Sequence, residues 1–393
     1  MRENDSFDWD KFKNKNFDLE TNKNILNLNP GTMGSPSLPV INAIHESCKD
    51  NKNPLNIYKK GRANLQRIRE EANILWPHPN HELAIGGSTT SWCNKLSESF
   101  LRLWEEASKN NPIKILTSNH EHKGALLNFE NHPFYQVIKI SDQILFNSEL
   151  FENFIKNNIP NIILLSQKTW DQNLKLPINS CFKIIKKLYP DTITILDSAQ
   201  SIGIEKIIFT NSDIVVCSGH KWLFGPQGSG FMWINKETIK KIPKFHYGEP
   251  IDPMNKASYF EESGGQSFIT YAGLLEALLI LKEVGHENVF NKSLKLSKTF
   301  FVLLEKSILK NIFQITMNDS VILLDWINPI RNSPYEYYQE LHNSNIHSKF
   351  IKISKRSSTI YRLRFGLPYY ESEERLNYAV ERMVSVMVKL LKK

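Results

Sequence analysis

Two kinds of hydrophobic spacing alternate along this chain. Residues 62–75 repeat apolar positions at a helical interval, with Leu65, Ile68, Ala72 and Leu75 on one face, and a shorter helical pattern (Val40, Ile41, Ile44) follows Pro39. Between and beyond them stand brief apolar runs at residues 82–85, 114–117, 136–140, 161–166, 192–196 and 213–217. Many of these runs lack the in–out alternation of a half-exposed strand, as expected of strands covered on both faces. Helical spacing separates several of them. The pattern predicts an α/β fold whose central sheet is mostly parallel and flanked by helices. Residues 271–285 and 295–310 read as further helices. Residues 371–393 read as an amphipathic terminal helix, with Ser372 as N-cap, Glu373 and Glu374 in the first turn and lysines at the end.

The chain has 393 residues, enough for one large core and a second, smaller one, and the pattern sets the boundary near residue 290. Hydrophobic residues at 41% and charged residues at 23% are ordinary globular values. The opening residues are polar and hold no apolar secretory core, and no run approaches the roughly 18 apolar residues that cross a bilayer. A cytoplasmic protein with no membrane partner is expected. Cys48, Cys93, Cys181 and Cys217 are scattered and form no CxxC pair, which speaks against a disulfide framework or a zinc knuckle. The net charge of +8 comes from dispersed lysines in Lys–Ile–Asn-rich surroundings, so no nucleic-acid partner is expected.

Residues 193–233 carry the strongest chemical signal. One predicted strand ends in Asp197, and a second ends in Ser218-Gly219-His220-Lys221. In an open parallel sheet the carboxyl ends of strands line the ligand crevice, so an acid and an amine arrive together. A lysine amine can form an imine with an aldehyde cofactor, and a carboxylate beside a pyridine nitrogen keeps that nitrogen protonated. Burial and a neighbouring pyridinium are expected to hold Asp197 ionised.

These residues resemble the class V aminotransferase group of fold-type I pyridoxal-phosphate (PLP) enzymes, which includes cysteine desulfurases and isopenicillin-N-epimerase-like proteins. DSAQ at Asp197 and SGHKWLFGPQGSG at Ser218 are similar to the group's two central motifs, and the likeness runs from about residue 26 to the end. The resemblance implies an N-terminal arm (1–30), a large PLP-binding domain (31–290) and a smaller C-terminal α+β domain (291–393). It implies Lys221 as the Schiff-base lysine, Asp197 on the pyridinium nitrogen and Gln200 on the phenolic oxygen. Ser218 and His220 would face the phosphate. The loop IGGSTTSW fits the group's phosphate loop, with Ser88, Thr89 and Thr90 as ligands. Glu121-His122-Lys123 matches the group's E-H-K-A, making His122 the residue stacked on the cofactor ring. A rival reading takes His120 and His122 as a metal pair, but no further ligands are suggested nearby and no metal is expected.

Four departures qualify the likeness. Gly265 stands where the group has a threonine reaching the phosphate of a partner subunit, leaving a backbone N–H for that contact in the expected homodimer. Arg364 falls at the group's carboxylate-gripping arginine, a role suited to a planar guanidinium, with Gly366 and Glu371 replacing its usual neighbours. Arg362, taken to lie on the other strand face, is the lesser candidate. Trp170 stands near a position where the group often has asparagine, and it joins Asn29, in the Asn29-Pro30-Gly31 turn, as a candidate substrate contact. Finally, residues 340–364 contain no cysteine to take up sulfur as a persulfide. The expected activity is therefore chemistry at the amino-bearing carbon of an amino acid or related amine, most simply transamination. A C–S lyase or epimerase-like reaction stands second, and a non-catalytic PLP-fold binding protein third. A nucleotide-binding α/β protein is disfavoured, because Gly225–Gly230 lacks the G-x-G-x-x-G spacing and its context.

Overall fold

The computed structural model describes residues 7–17, 25–105, 111–244, 256–262, 266–329, 333–354 and 358–392. Gly265 lies outside the described residues.

The apolar runs form strands close to where the pattern puts them: β2 (His81–Gly86), β3 (Ile113–Ser118), β4 (Tyr135–Ile140), β5 (Ile162–Ser166), β6 (Ile193–Asp197) and β7 (Ile214–Ser218). A seventh, β8 (Gly230–Asn235), completes a sheet of order β2-β8-β7-β6-β5-β3-β4. Five strands from β7 to β4 are parallel, while β8 runs antiparallel to both β2 and β7. Every residue of β5, β6 and β7 is buried, which explains why their sequences do not alternate. One apolar cluster, including Leu165, Leu196 and Val215, fills one side of the sheet, and another, including Trp92, Phe100 and Ile195, fills the other.

A second sheet, of order β12-β13-β10-β9, is antiparallel: β9 (Phe313–Asn318), β10 (Val321–Trp326), β12 (Lys349–Ser354) and β13 (Thr359–Gly366). Its buried face packs on the terminal helix Glu373–Leu391 and on Leu296, Phe300 and Leu304 of the helix His286–Lys306. The terminal helix begins as predicted, with Ser372 Oγ accepting from Arg375 N at 3.3 Å. The same core takes in Leu26 and Leu28, because the short β1 (Leu26–Asn27) pairs in parallel with β11 (Ile346–His347). The early chain then turns through Asn29 and Gly31 to reach the large sheet, where Gly34 N donates to His220 O at 2.8 Å. Among the described residues no helix is long and apolar enough to cross a membrane.

Candidate active site

The carboxyl ends of β2, β3, β6 and β7 open on one cavity of about 190 Å³. Each delivers a polar residue at the point where its strand stops. Beyond β2, Ser88 caps the helix Thr89–Leu103, whose first turn presents Thr89 and Thr90. Ser218, at the end of β7, accepts a hydrogen bond from Thr89 N at 3.0 Å and lies 3.1 Å from Thr89 Oγ1. Helix N–H groups, three hydroxyls on one turn and a fourth from the next strand make a cup for an anion. His220 lines the same cavity, its Nδ1 is buried without a hydrogen-bond partner among the described residues, and burial with Lys221 nearby pushes the imidazole down to about 4. A buried nitrogen left unpaired calls for a ligand group.

Asp197 ends β6 and is buried, with Oδ1 accepting from Ala199 N at 2.8 Å. Burial raises its pKa, against the downward pull of Lys221 and of that N–H. The expectation that burial helps keep this acid ionised is therefore corrected: desolvation disfavours the charged form, and only the neighbouring cation and hydrogen bond favour it. Burial also lowers the pKa of Lys221, with Arg364 and Lys349 acting in the same direction and Asp197 opposing. The amine is pushed toward its neutral, nucleophilic form. The loop that carries it is pinned. Phe224 adopts a left-handed backbone (φ 56°), and its ring packs edge-on against Tyr369 and Tyr370 at 5.2 and 5.4 Å.

Gln200 is held at both ends of its amide: Nε2 donates to Gly31 O at 2.9 Å, and Oε1 accepts from Trp222 Nε1 at 3.0 Å. One amide N–H is left for another acceptor. Gly31 passes so close that a Cβ there would stand 2.7 Å from Gln200 Oε1 and 2.8 Å from Arg364 Nη2. Arg364 comes from β13, across the cavity from the sheet ends. Its Nη2 donates to Asn29 Oδ1 at 3.0 Å and to Thr32 Oγ1 at 3.3 Å, and its Nη1 donates to the Trp170 carbonyl. Asn29 thus lies behind the guanidinium rather than on the cavity wall, while Trp170 lines the wall. Arg362 is two residues from Arg364, so the two share a strand face, and the sequence reading that separated them is corrected. What sets Arg362 apart is its partner: Nε and Nη2 both reach Asp325 at 2.6 Å.

His122 caps the helix Lys123–Glu130, and its ring meets Trp170 edge-on at 5.4 Å. Desolvation, then Lys221, Lys349 and Arg364, push it down to about 4, so it is neutral at pH 7. The adjacent Glu121 ties the ends of β3 and β5 together through Ser118 Oγ at 2.7 Å and Ser166 N at 2.9 Å. His120 turns elsewhere. It bonds Asp171 through Nδ1 at 2.9 Å and Asp142 through Nε2 at 3.0 Å, so the two histidines go to different partners. These bonds raise His120 to about 9. An imidazolium favoured in the fold contributes its full stabilisation below the unfolded pKa of about 6.5 and loses it as pH climbs through about 9. His120→Asn should therefore lower the melting temperature at pH 6 and leave it little changed at pH 10, as scanning calorimetry would read.

The sequence reading missed Thr32, Ala125 and Lys349, which also line the cavity. Lys349 faces Arg364 across the β12–β13 ladder, a proximity that becomes visible only once the strand register is known.

The sequence profile of the aminotransferase class-V family matches residues 88–322, more than half of the chain. A probable cysteine desulfurase of Ureaplasma parvum is 31% identical over 130 residues, covering 30% of this chain and 32% of that protein. The chain thus spans about a third of the length of that curated relative. A solved complex of a cystine C–S lyase with its product cysteine persulfide superposes with a TM-score of 0.76 at 18% identity, covering 92% of this chain and 97% of the other. An apo cysteine desulfurase from Thermococcus onnurineus superposes with a TM-score of 0.77 at 18% identity, over 97% of this chain and 98% of the other. Profile, fold and strand-end motifs agree, and the chain belongs to the class-V aminotransferase family of fold-type I PLP-dependent enzymes.

Proposed function

We propose that this protein is a PLP-dependent lyase that opens a C–S bond in a cysteine-derived amino acid and releases the sulfur without storing it on a cysteine of its own. The observation that carries this reading is the meeting of Lys221 and Asp197 at adjacent strand ends, with Arg364, in a cavity that no cysteine of the described residues lines. Cys93, Cys181 and Cys217 are buried, their thiols pushed up by desolvation, and Cys48 is exposed on the helix Leu38–Asp50 away from the cavity. The names of the relatives support C–S chemistry over the transamination expected first from the sequence.

The residues fit the cofactor. The anion cup of Ser88, Thr89, Thr90, Ser218 and His220 would take its phosphate, Asp197 its ring nitrogen, Gln200 its phenolic oxygen and Lys221 its aldehyde carbon. When bound, PLP supplies the electron sink for charge developing at the substrate α-carbon. The protein does the rest. Arg364 grips the α-carboxylate and fixes the amino acid's orientation, with Asn29 and Thr32 holding the guanidinium from behind. Lys221, poised toward its neutral amine, takes the proton from the α-carbon and can pass it to the departing sulfur. His122, neutral, can cover the ring without adding charge beside it. We also propose that the protein works as a homodimer with its sites at the subunit interface. A solution mass of twice 45.6 kDa checks the assembly.

The decisive assay supplies cysteine or cystine to the PLP-loaded protein. Catalytic release of sulfide or persulfide together with pyruvate and ammonia is expected. Keto acid that forms only when an amino acceptor is supplied, without sulfur release, would return the reading to transamination.

A further inference from the structure

Lys349 is a cation that the chemistry above does not use. It lines the cavity together with Arg364 and lies half-buried at the start of β12. In the antiparallel β12–β13 ladder Lys349 is the register partner of Arg364, so the two side chains leave the same face of the sheet. Directly opposed residues stand about 4.5–5.5 Å apart at the backbone. The strand is fixed at this point: Asn29, which holds Arg364, also donates through Nδ2 to Ser348 O at 3.3 Å. Among the described residues the Lys349 ammonium has no carboxylate and no hydrogen-bond acceptor. The contrast with neighbouring cations is sharp, since Arg362 on the same sheet is neutralised by Asp325, and Lys168 by Glu205 and Asp319.

Lys349 leaves the charges of the cavity unbalanced. Asp197 faces Lys221 at the sheet ends, and the anion cup lies with them on that side. The second sheet adds two cations, Arg364 and Lys349, and among the described residues no acid other than Asp197 lines the cavity. Burial and the proximity of Arg364 both push the Lys349 ammonium toward losing its proton. An α-carboxylate answers Arg364 alone. A half-buried ammonium left over beside it costs free energy unless an anion arrives with the substrate.

We propose that Lys349 is a specificity residue that binds a second anionic group of the substrate, so that the preferred amino acids carry a carboxylate, sulfinate or sulfonate on the side chain. The inference deepens the lyase reading by naming its substrate class, and it rests on Arg364 holding the α-carboxylate as that reading has it. Such a lysine makes one charge-assisted bond, which corresponds to about 10-fold to 100-fold in affinity.

The test measures binding to the PLP-loaded protein, by calorimetry or by the shift of the bound cofactor's absorbance, for L-aspartate and L-asparagine. These two ligands have nearly the same shape and differ by one charge. Aspartate is expected to bind about 10-fold to 100-fold more tightly. Lys349→Met should erase that ratio and Lys349→Arg should keep most of it. Melting temperature and cofactor absorbance of each variant certify the fold. Equal affinity for the two ligands in the native protein would overturn the proposal. So would an unchanged ratio in Lys349→Met, or an equal loss for both ligands, which would place Lys349 on the α-carboxylate beside Arg364. Sulfur release from cysteine is assayed separately. A charge preference that depends on Lys349 in a protein releasing no sulfur would sink the lyase reading and leave this inference standing.

Discussion

Lys221→Ala is expected to yield a folded protein that no longer links PLP covalently and turns over at least about 10⁴-fold more slowly, the scale on which enzymes lose rate when the group that makes the covalent bond is removed. The amine lies at the end of the Ser218–Lys221 segment, where burial and the cations Arg364 and Lys349 favour its neutral form. Borohydride reduction followed by peptide mapping gives the direct readout, with a PLP-modified peptide containing residue 221 in the native protein and none in the variant. The variant keeps a second cavity lysine, Lys349, from the second sheet. Trapping that persists after loss of Lys221 would place the covalent bond elsewhere and refute the assignment. The shape of the pocket should survive, because the loop is held by Gly34 N on His220 O and by Phe224 against Tyr369 and Tyr370, none of which involves the lysine side chain.

Asp197→Asn is expected to lower kcat by about 10²–10³-fold while PLP still binds, since only a charge facing the reacting system is removed. The amide oxygen of asparagine can still accept from Ala199 N, so the local turn is preserved. Stability should not suffer. The native carboxylate is buried and its pKa is raised by that burial, so a neutral isostere sheds a desolvation cost. A melting temperature equal to or above that of the native protein, together with the kinetic loss, separates an electrostatic role from a structural one. Turnover within a few-fold of native would show that the acid does not act on the cofactor.

Much of the large sheet could be read from sequence because its signal is local. Continuous apolar runs such as Ile162–Ser166 and Ile193–Asp197 are explained by burial on both faces, and Asp197, which stops the second run, lands at the crevice. What could not be read depends on pairing. The antiparallel β8 looks like any other apolar run until its partners β2 and β7 are known. Arg362 and Arg364 share a strand face, and only Asp325, a register partner from β10, decides which arginine is spent on structure. Lys349 gave no signal at all, because its position opposite Arg364 follows from a register that no residue spacing announces. Nor does spacing show that Asn29, a candidate substrate contact, braces Arg364 and Ser348.

The parallel pairing of Leu26–Asn27 with Ile346–His347 has a consequence for how the protein is made. The two segments lie some 320 residues apart, and Leu26 and Leu28 are fully buried in a core built from the last hundred residues. During synthesis the large sheet can assemble from consecutive strands as they emerge, but the first strand has no neighbour until residues 346–347 have been made. Closing so long a loop comes late and is entropically costly. The wall of the pocket formed by Gly31, Thr32 and Arg364 is therefore completed only after β11 to β13 have been made, well after the segment that carries Lys221.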